Sequence, residues 1–298
     1  MLFRSLHHTS STMSSTSTAE IKLLILDIDG TIAGKSNQVS TRVKQAIAAA
    51  QAQGVRVGIA TGRMYKSALR FHHDIGADLP IMAYQGAWIQ DPATGITHRH
   101  SPVPVEIAHE LIDYFEQSHL LDQLSIHVYR DDCLYVREIN ADTELYVGRS
   151  GIGVSAVADL RTVLTDRPTK ILAMSEDVEL IDKLRLELMQ RYTPAELHVT
   201  TSVPIFLETT QSGVNKATAI DYIATEMLGI KPENILAIGD NYNDVEMIAY
   251  AGIGVAMGNA PADVQSIANW VAPDVDADGV ALAAVCQSTR HLQTLPIF

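Results

Sequence analysis

The apolar run Leu23-Leu24-Ile25-Leu26 ends in Asp27, and a second carboxylate follows at Asp29, just ahead of Gly30 and Thr31. Two more apolar runs end in polar residues, VGIA at Thr61 and ILAIG at Asp240. Strands of an open parallel sheet deliver their carboxyl ends to one edge, where ligands bind, so Asp27, Thr61 and Asp240 are expected to converge. Side chains alternate along a strand, which puts Asp27 and Asp29 on one side if the chain stays extended that far. Converging acids repel each other, and a divalent cation or a shared proton resolves the repulsion. With no histidine or cysteine at these strand ends, the donors are oxygens and fit Mg²⁺ rather than zinc. Lys216, just inside the helix expected after Gly213, adds a positive charge, while Thr61 and the backbone amides around Gly62 can hold phosphate oxygens. Singly, each residue has a plainer reading: an aspartate at a strand end is often a turn or cap residue, and a helical lysine is usually solvated.

Short apolar runs alternating with helical segments from Ile21 onward predict the elements that must position these residues, a parallel α/β sheet. IKLLILD reads as a buried strand. Ser40 caps a helix with Val43, Ile47 and Ala50 at helical spacing, Gly54 ends it, and VRVGIAT is the next strand; together they form a right-handed βαβ unit. IMAYQG supplies a third strand. After Trp88 the style changes. Pro104 opens a helix, LSIHVY and CLYVR flank the turn Arg130-Asp131-Asp132 as a hairpin, and KILAMS, a helix from Asp177 to about Tyr192 and LHVTTS follow. Parallel-style alternation resumes with the helix after Gly213, ILAIGD, the helix after Asn243, GIGVAMG and a last helix after Asp278. The expected fold is α/β: a Rossmann-like parallel-sheet core with an inserted α+β cap domain. The expected domains are a disordered leader over 1–19, a discontinuous core over 20–87 and 203–290, and a cap over 88–202.

Composition narrows the function classes. The 298 residues, 47% hydrophobic and 19% charged, can bury a large core or two smaller ones, and charges interrupt each apolar run before the roughly 18 residues of a membrane span. A net charge of −13 with no basic run opposes a nucleic-acid partner. The two cysteines, Cys133 and Cys286, make no disulfide framework and have no metal-ligand spacing, which fits a cytoplasmic location. Met1 to Ala19 is rich in serine and threonine and lacks acids; with Arg4 as its single arginine it reads as a leader or an early start rather than an organelle transit peptide.

Asp27-Ile28-Asp29-Gly30-Thr31, Thr61-Gly62-Arg63, Lys216 and GDNYND (Gly239 to Asp244) resemble, in order and spacing, the four motifs of the haloacid dehalogenase-like superfamily. The long insertion between the second and third motifs, GIGVAMGNAP and DADGVA are similar to its Cof-type phosphatases, and the resemblance runs from about Ile21 to Val285. It implies that Asp27 is a nucleophile forming an aspartyl-phosphate, and that Asp29 is the general acid and then base. It also implies Mg²⁺ held by the Asp27 carboxylate, the Asp29 backbone carbonyl and Asp240. Phosphate would be held by Thr61, Gly62, Lys216, Asn243 and the Ile28 amide, with Asp244 orienting Lys216 or a metal-bound water. Arg63 either contacts substrate or pairs with a cap acid. Gln85 stands where many relatives have asparagine, and its polar contact reaches differently; Ile28 replaces a commoner leucine.

The implied function is Mg²⁺-dependent hydrolysis of small phosphate monoesters, such as sugar phosphates or cofactor phosphates, with a small phosphorylated metabolite as partner and no nucleic acid or membrane. A phosphomutase or phosphotransferase using the same intermediate, and a non-catalytic metal- and phosphate-binding module, are the alternatives. The substrate and the oligomeric state are not encoded in any motif. Other patterns fail on chemistry. DVDADG has Val285 where a calcium loop needs its twelfth-position glutamate, and Gly252, Gly254 and Gly258 do not form a dinucleotide turn. The pairs His72-His73 and His98/His100 are expected at the surface.

Overall fold

The computed structural model describes residues 20–164 and 168–288, so the expected leader lies outside the described residues. In chain order the first half forms β1 (Leu23–Leu26), α1 (Thr41–Ala52), β2 (Arg56–Ile59), α2 (Tyr65–Asp74), β3 (Ile81–Ala83), β4 (Trp88–Gln90), β5 (Thr97–His100), α3 (Val105–Phe115), β6 (Ser125–Arg130) and β7 (Cys133–Val136). There follow α4 (Ala141–Ser150), β8 (Val154–Ala156), β9 (Lys170–Met174), α5 (Val178–Arg191), β10 (Leu197–Thr200), β11 (Phe206–Gln211) and α6 (Lys216–Asp221). The chain closes with β12 (Ile235–Gly239), α7 (Val245–Tyr250), β13 (Ile253–Ala256), α8 (Ala262–Ile267), β14 (Trp270–Val271) and α9 (Gly279–Ser288).

Five strands form a parallel sheet in the order β14-β13-β12-β1-β2, with β1 at the point where the chain reverses its direction of winding. The residues of β1 and β12 are buried throughout, which is why both read as unbroken apolar runs. Ser40 caps α1 by accepting the Val43 N–H, as its position before the periodic apolar residues predicts.

The second sheet is mixed, in the order β10-β11-β9-β6-β7-β8, antiparallel except for β7 beside β8. Its alternation assigns two faces. Ile126, Val128, Ile171, Ala173 and Leu207 pack with Leu111, Ile112 and Leu184 of α3 and α5. Tyr129, Leu172 and Met174, one residue out of phase, join the cluster of the parallel-sheet unit, with the Tyr129 ring edge-on to Tyr84.

Three strands pair across the boundaries expected at Trp88 and Ser202. β11 hydrogen-bonds between β10 and β9, so the mixed sheet reclaims a strand beyond 202. In contrast β4 pairs antiparallel with β3 and β5 antiparallel with β4, and β3 itself bridges the end of β2 through Ala60 and Met82, so they extend the parallel-sheet side. Local alternation does not reveal which sheet a strand joins; long-range pairing decides it. Helix α4 went unrecognised because its apolar positions are few, although Asn140 caps it. His72 also departs from expectation: it is buried, with its ring nitrogen against the Leu79 carbonyl. No helix of the described residues is long and apolar enough to cross a membrane.

Candidate active site

Four acidic and basic side chains meet at the carboxyl ends of β1 and β12. Lys216 opens α6 behind an Asn215 capping box, which fixes the direction of its side chain. Its ammonium donates to Asp27 Oδ1 and to Asp244 Oδ1, each at 2.5 Å, and is fully buried. Asp244 Oδ2 accepts the backbone N–H groups of Asp240 (2.9 Å) and Asn241 (3.0 Å), closing the turn after β12. Asp240 accepts from the Thr31 hydroxyl at 3.1 Å and from Asn259 Nδ2 at 3.2 Å. Gly30, at φ +80°, makes room for it: a Cβ there would stand 2.1 Å from Asp240 Oδ2.

The charges do not balance. Burial, followed by the Asp244 and Asp27 charges, pushes the Asp240 carboxyl up to about 9, against the pull of Lys216 and Thr31. Burial also raises Asp27 to about 7; Lys216 opposes this, while Asp244 and Asp29 add to it. Burial disfavours the Lys216 charge, but Asp244 and Asp27 outweigh it and raise the ammonium's pKa. One carboxylate oxygen from each of Asp27, Asp240 and Asp244 lies within 4.8 Å of the others. One lysine cannot neutralise three buried acids, and an all-oxygen donor set is the kind a hard divalent cation takes.

Asp29 lies apart from this cluster. The chain leaves the extended conformation after Leu26 and turns, with the Ile28 carbonyl accepting the N–H groups of Ile32 and Ala33, so period-two geometry no longer applies. The Asp29 carboxylate instead receives Arg63 Nε at 2.7 Å and Nη2 at 2.8 Å, and Arg149 Nη2 from α4 at 3.1 Å. Burial pushes its pKa up, but the Arg63 hydrogen bonds and charge, with Arg149, outweigh this and leave it below the ordinary value. Among the described residues the acid that Arg63 pairs with is Asp29 itself.

The remaining expected residues form a second group beside the first. Arg63 N–H donates to Thr61 Oγ1 at 3.1 Å, and the Gln85 N–H donates to the Thr61 carbonyl at 2.9 Å. Tyr84 and Gln85 are both left-handed, φ +53° and +61°, a strain that non-glycine residues accept where surrounding contacts impose it. Gln85 Oε1 accepts from Asn243 Nδ2 at 3.2 Å. Ile28 is fully buried. The structure also adds Thr31, Asn259 and Arg149, which sequence reasoning missed. Thr31 lies inside the first motif and Asn259 inside GIGVAMGNAP, each without an expected role, and Arg149 reaches the site only through tertiary folding.

A family model of haloacid dehalogenase-like hydrolases matches residues 24–283. A 5-amino-6-(5-phospho-D-ribitylamino)uracil phosphatase of Bacillus subtilis is 30% identical over 274 residues, 87% of this chain and 94% of its own. Another phosphatase of the same name and organism is 28% identical over 265 residues, 89% of this chain and 94% of its own. Among solved structures, a haloacid dehalogenase-like hydrolase from Bacteroides thetaiotaomicron superposes with a TM-score of 0.77 at 28% identity, covering 89% of this chain and 99% of that one.

Proposed function

The chain belongs to the haloacid dehalogenase-like hydrolases, as one of their Cof-type phosphatases, and from that premise we propose that it is a Mg²⁺-dependent phosphatase of small phosphorylated metabolites, working through an aspartyl-phosphate. The observation that carries this reading is the Lys216 ammonium bridging Asp27 and Asp244 at 2.5 Å inside a buried cluster of three acids. Asp27, Asp240 and the Asp29 backbone carbonyl would hold the cation, with Asp244 fixing Lys216. Bound there, the ion supplies positive charge for the phosphoryl oxygens.

The chain's own residues do the rest. An Asp27 oxygen attacks phosphorus as the bond to the leaving alcohol oxygen breaks, and Asp29 supplies that oxygen with a proton. Water then attacks the phosphorus of the acyl phosphate, Asp29 takes its proton, and Asp27 is released. In the conformation described, Asp29 is an arginine-held anion, the form suited to the second half; donation in the first half requires protonation and loosening from Arg63. Thr61, Asn243, Lys216 and the amides of Ile28 and Gly62 would hold the phosphate oxygens. The division proposed for the chain gives the mixed sheet and its helices the part of a cap that selects the leaving group.

Substrates are proposed among sugar phosphates and cofactor phosphates, and phosphoribitylaminouracil heads the panel because several relatives carry its name. The test is release of inorganic phosphate from such a panel and from an activated aryl phosphate, with Mg²⁺ and with chelator. Turnover with Mg²⁺ that chelator abolishes is the expected result. Purified folded protein that turns over no ester, or that transfers phosphate only to another sugar, overturns the reading.

A further inference from the structure

One buried ion pair plays no part in the chemistry above. Lys170 of β9 and Glu208 of β11 stand 2.9 Å apart, exposed by only 2% and 1%, on the face of the mixed sheet that meets the parallel-sheet unit. The alternation that sends Ile171 and Leu207 towards the helices points both charged residues the other way. Lys170 also lies over the rings of Tyr129 (4.8 Å) and Tyr84 (5.8 Å). A buried pair of this kind is weak evidence for stability, since apolar residues of similar volume often serve as well. What the pair touches is more informative.

Two chains of hydrogen bonds leave it, and both end at groups placed around the phosphate. The Lys170 ammonium donates to the Gly62 carbonyl at 3.0 Å. The N–H of that same peptide unit, on Arg63, donates to Thr61 Oγ1. That bond occupies one lone pair of Thr61 Oγ1, and the hydroxyl hydrogen remains to donate outward. A cation on the carbonyl polarises the peptide and strengthens its N–H as a donor.

On the other side a Glu208 carboxylate can only accept, so Gln85 must turn its Nε2 towards it, at 3.4 Å. That orientation leaves Gln85 Oε1 to accept from Asn243 Nδ2, and the second Nδ2 hydrogen of Asn243 remains to donate. Reversing either amide would put two acceptors or two donors face to face. Ser202 holds the second Glu208 oxygen in place, while its own carbonyl accepts from Asn241 Nδ2 at 2.6 Å.

We infer that the Lys170–Glu208 pair is a positioning device, supplied by the mixed sheet, that sets the donor polarity of Thr61 and Asn243 towards a bound phosphate. The inference rests on the phosphatase reading above. It also gives the mixed sheet a role in holding the phosphoryl group, beyond choosing the leaving group.

The test uses the full-length double variant Lys170→Met/Glu208→Leu, which replaces the pair by apolar side chains and leaves no buried charge unpaired. Binding of inorganic phosphate in the presence of Mg²⁺ is measured by calorimetry, alongside kcat and KM for a small aryl phosphate and circular dichroism. The expected result is a folded protein whose phosphate Kd and aryl phosphate KM both rise about tenfold, the scale of hydrogen bonds to a charged ligand, with kcat within about threefold of wild type. A merely structural role would instead lower kcat through the active fraction and leave KM and Kd alone. Should the double variant not fold, Glu208→Gln, nearly isosteric, is read by the same criterion. A folded variant that binds phosphate within about twofold of wild type overturns the inference. Wild-type protein that neither binds phosphate nor hydrolyses the ester overturns the phosphatase reading instead.

Discussion

His127 should make this protein sensitive to mild acid. Its ring is fully buried on β6, edge-on to Tyr146 at 5.0 Å and Tyr129 at 6.4 Å; Nε2 meets Ser125 Oγ at 3.2 Å, and Nδ1 has no hydrogen-bond partner among the described residues. Burial, with the Lys170 charge second, lowers its pKa to about 3. The unfolded chain binds a proton near pH 6.5 while the folded chain refuses one until about pH 3, so between these values the unfolded state holds more protons and stability falls as pH falls. At about 1.36 kcal/mol per pH unit, and with little effect above pH 6.5, the loss from this one group between pH 7 and pH 5 is about 2 kcal/mol. The assay is urea unfolding in chelator at pH 7, 6 and 5, comparing wild type with His127→Gln, which keeps a polar atom for Ser125 and removes the titration. Acid-linked changes at other groups cancel in the comparison. The variant should lose about 2 kcal/mol less than wild type over that range. Parallel stability curves for the two proteins would refute the claim that His127 is buried neutral.

Asp27→Asn should leave circular dichroism unchanged and reduce aryl phosphate turnover to below about a thousandth of wild type, because an amide does not attack phosphorus; near-normal rates would remove Asp27 as the nucleophile. Asp29→Asn should slow esters of poor leaving groups by about 10² to 10⁴, and an activated aryl ester much less, as long as the first step limits the rate; equal losses on both would argue against an acid there. Gly86→Ala should lower the unfolding free energy by at least about 1–3 kcal/mol in urea titration. Its φ is +99° and the new Cβ would lie 2.7 Å from Ala219 Cβ and 2.8 Å from the Asn215 carbonyl, at the start of the helix that carries Lys216. A neutral effect would mean that this helix start yields more readily than its capping box implies.

What the sequence determined by itself was everything carried by local periodicity and by residues at element ends. The apolar runs ending at Asp27 and Asp240 marked buried strands, and open parallel sheets place such ends on one edge, so the meeting of Asp27 and Asp240 was legible before any coordinates, while Asp244 beside Lys216 was legible only through the resemblance of its motif. Ser40 announced a helix start for an equally local reason. Tertiary structure alone decided which sheet received β4, β5 and β11, because a strand's pattern records its two faces but not its neighbours. It also decided where Asp29 points: two residues of spacing fix a side only while the chain stays extended, and the turn after Leu26 gives that carboxylate to Arg63 and Arg149. Lys170 and Glu208 looked like ordinary charged residues on separate strands. They become neighbours at the heart of the molecule only through the pairing of β9 with β11, and a buried charge is recognisable as such only once its burial and its partner are both in view.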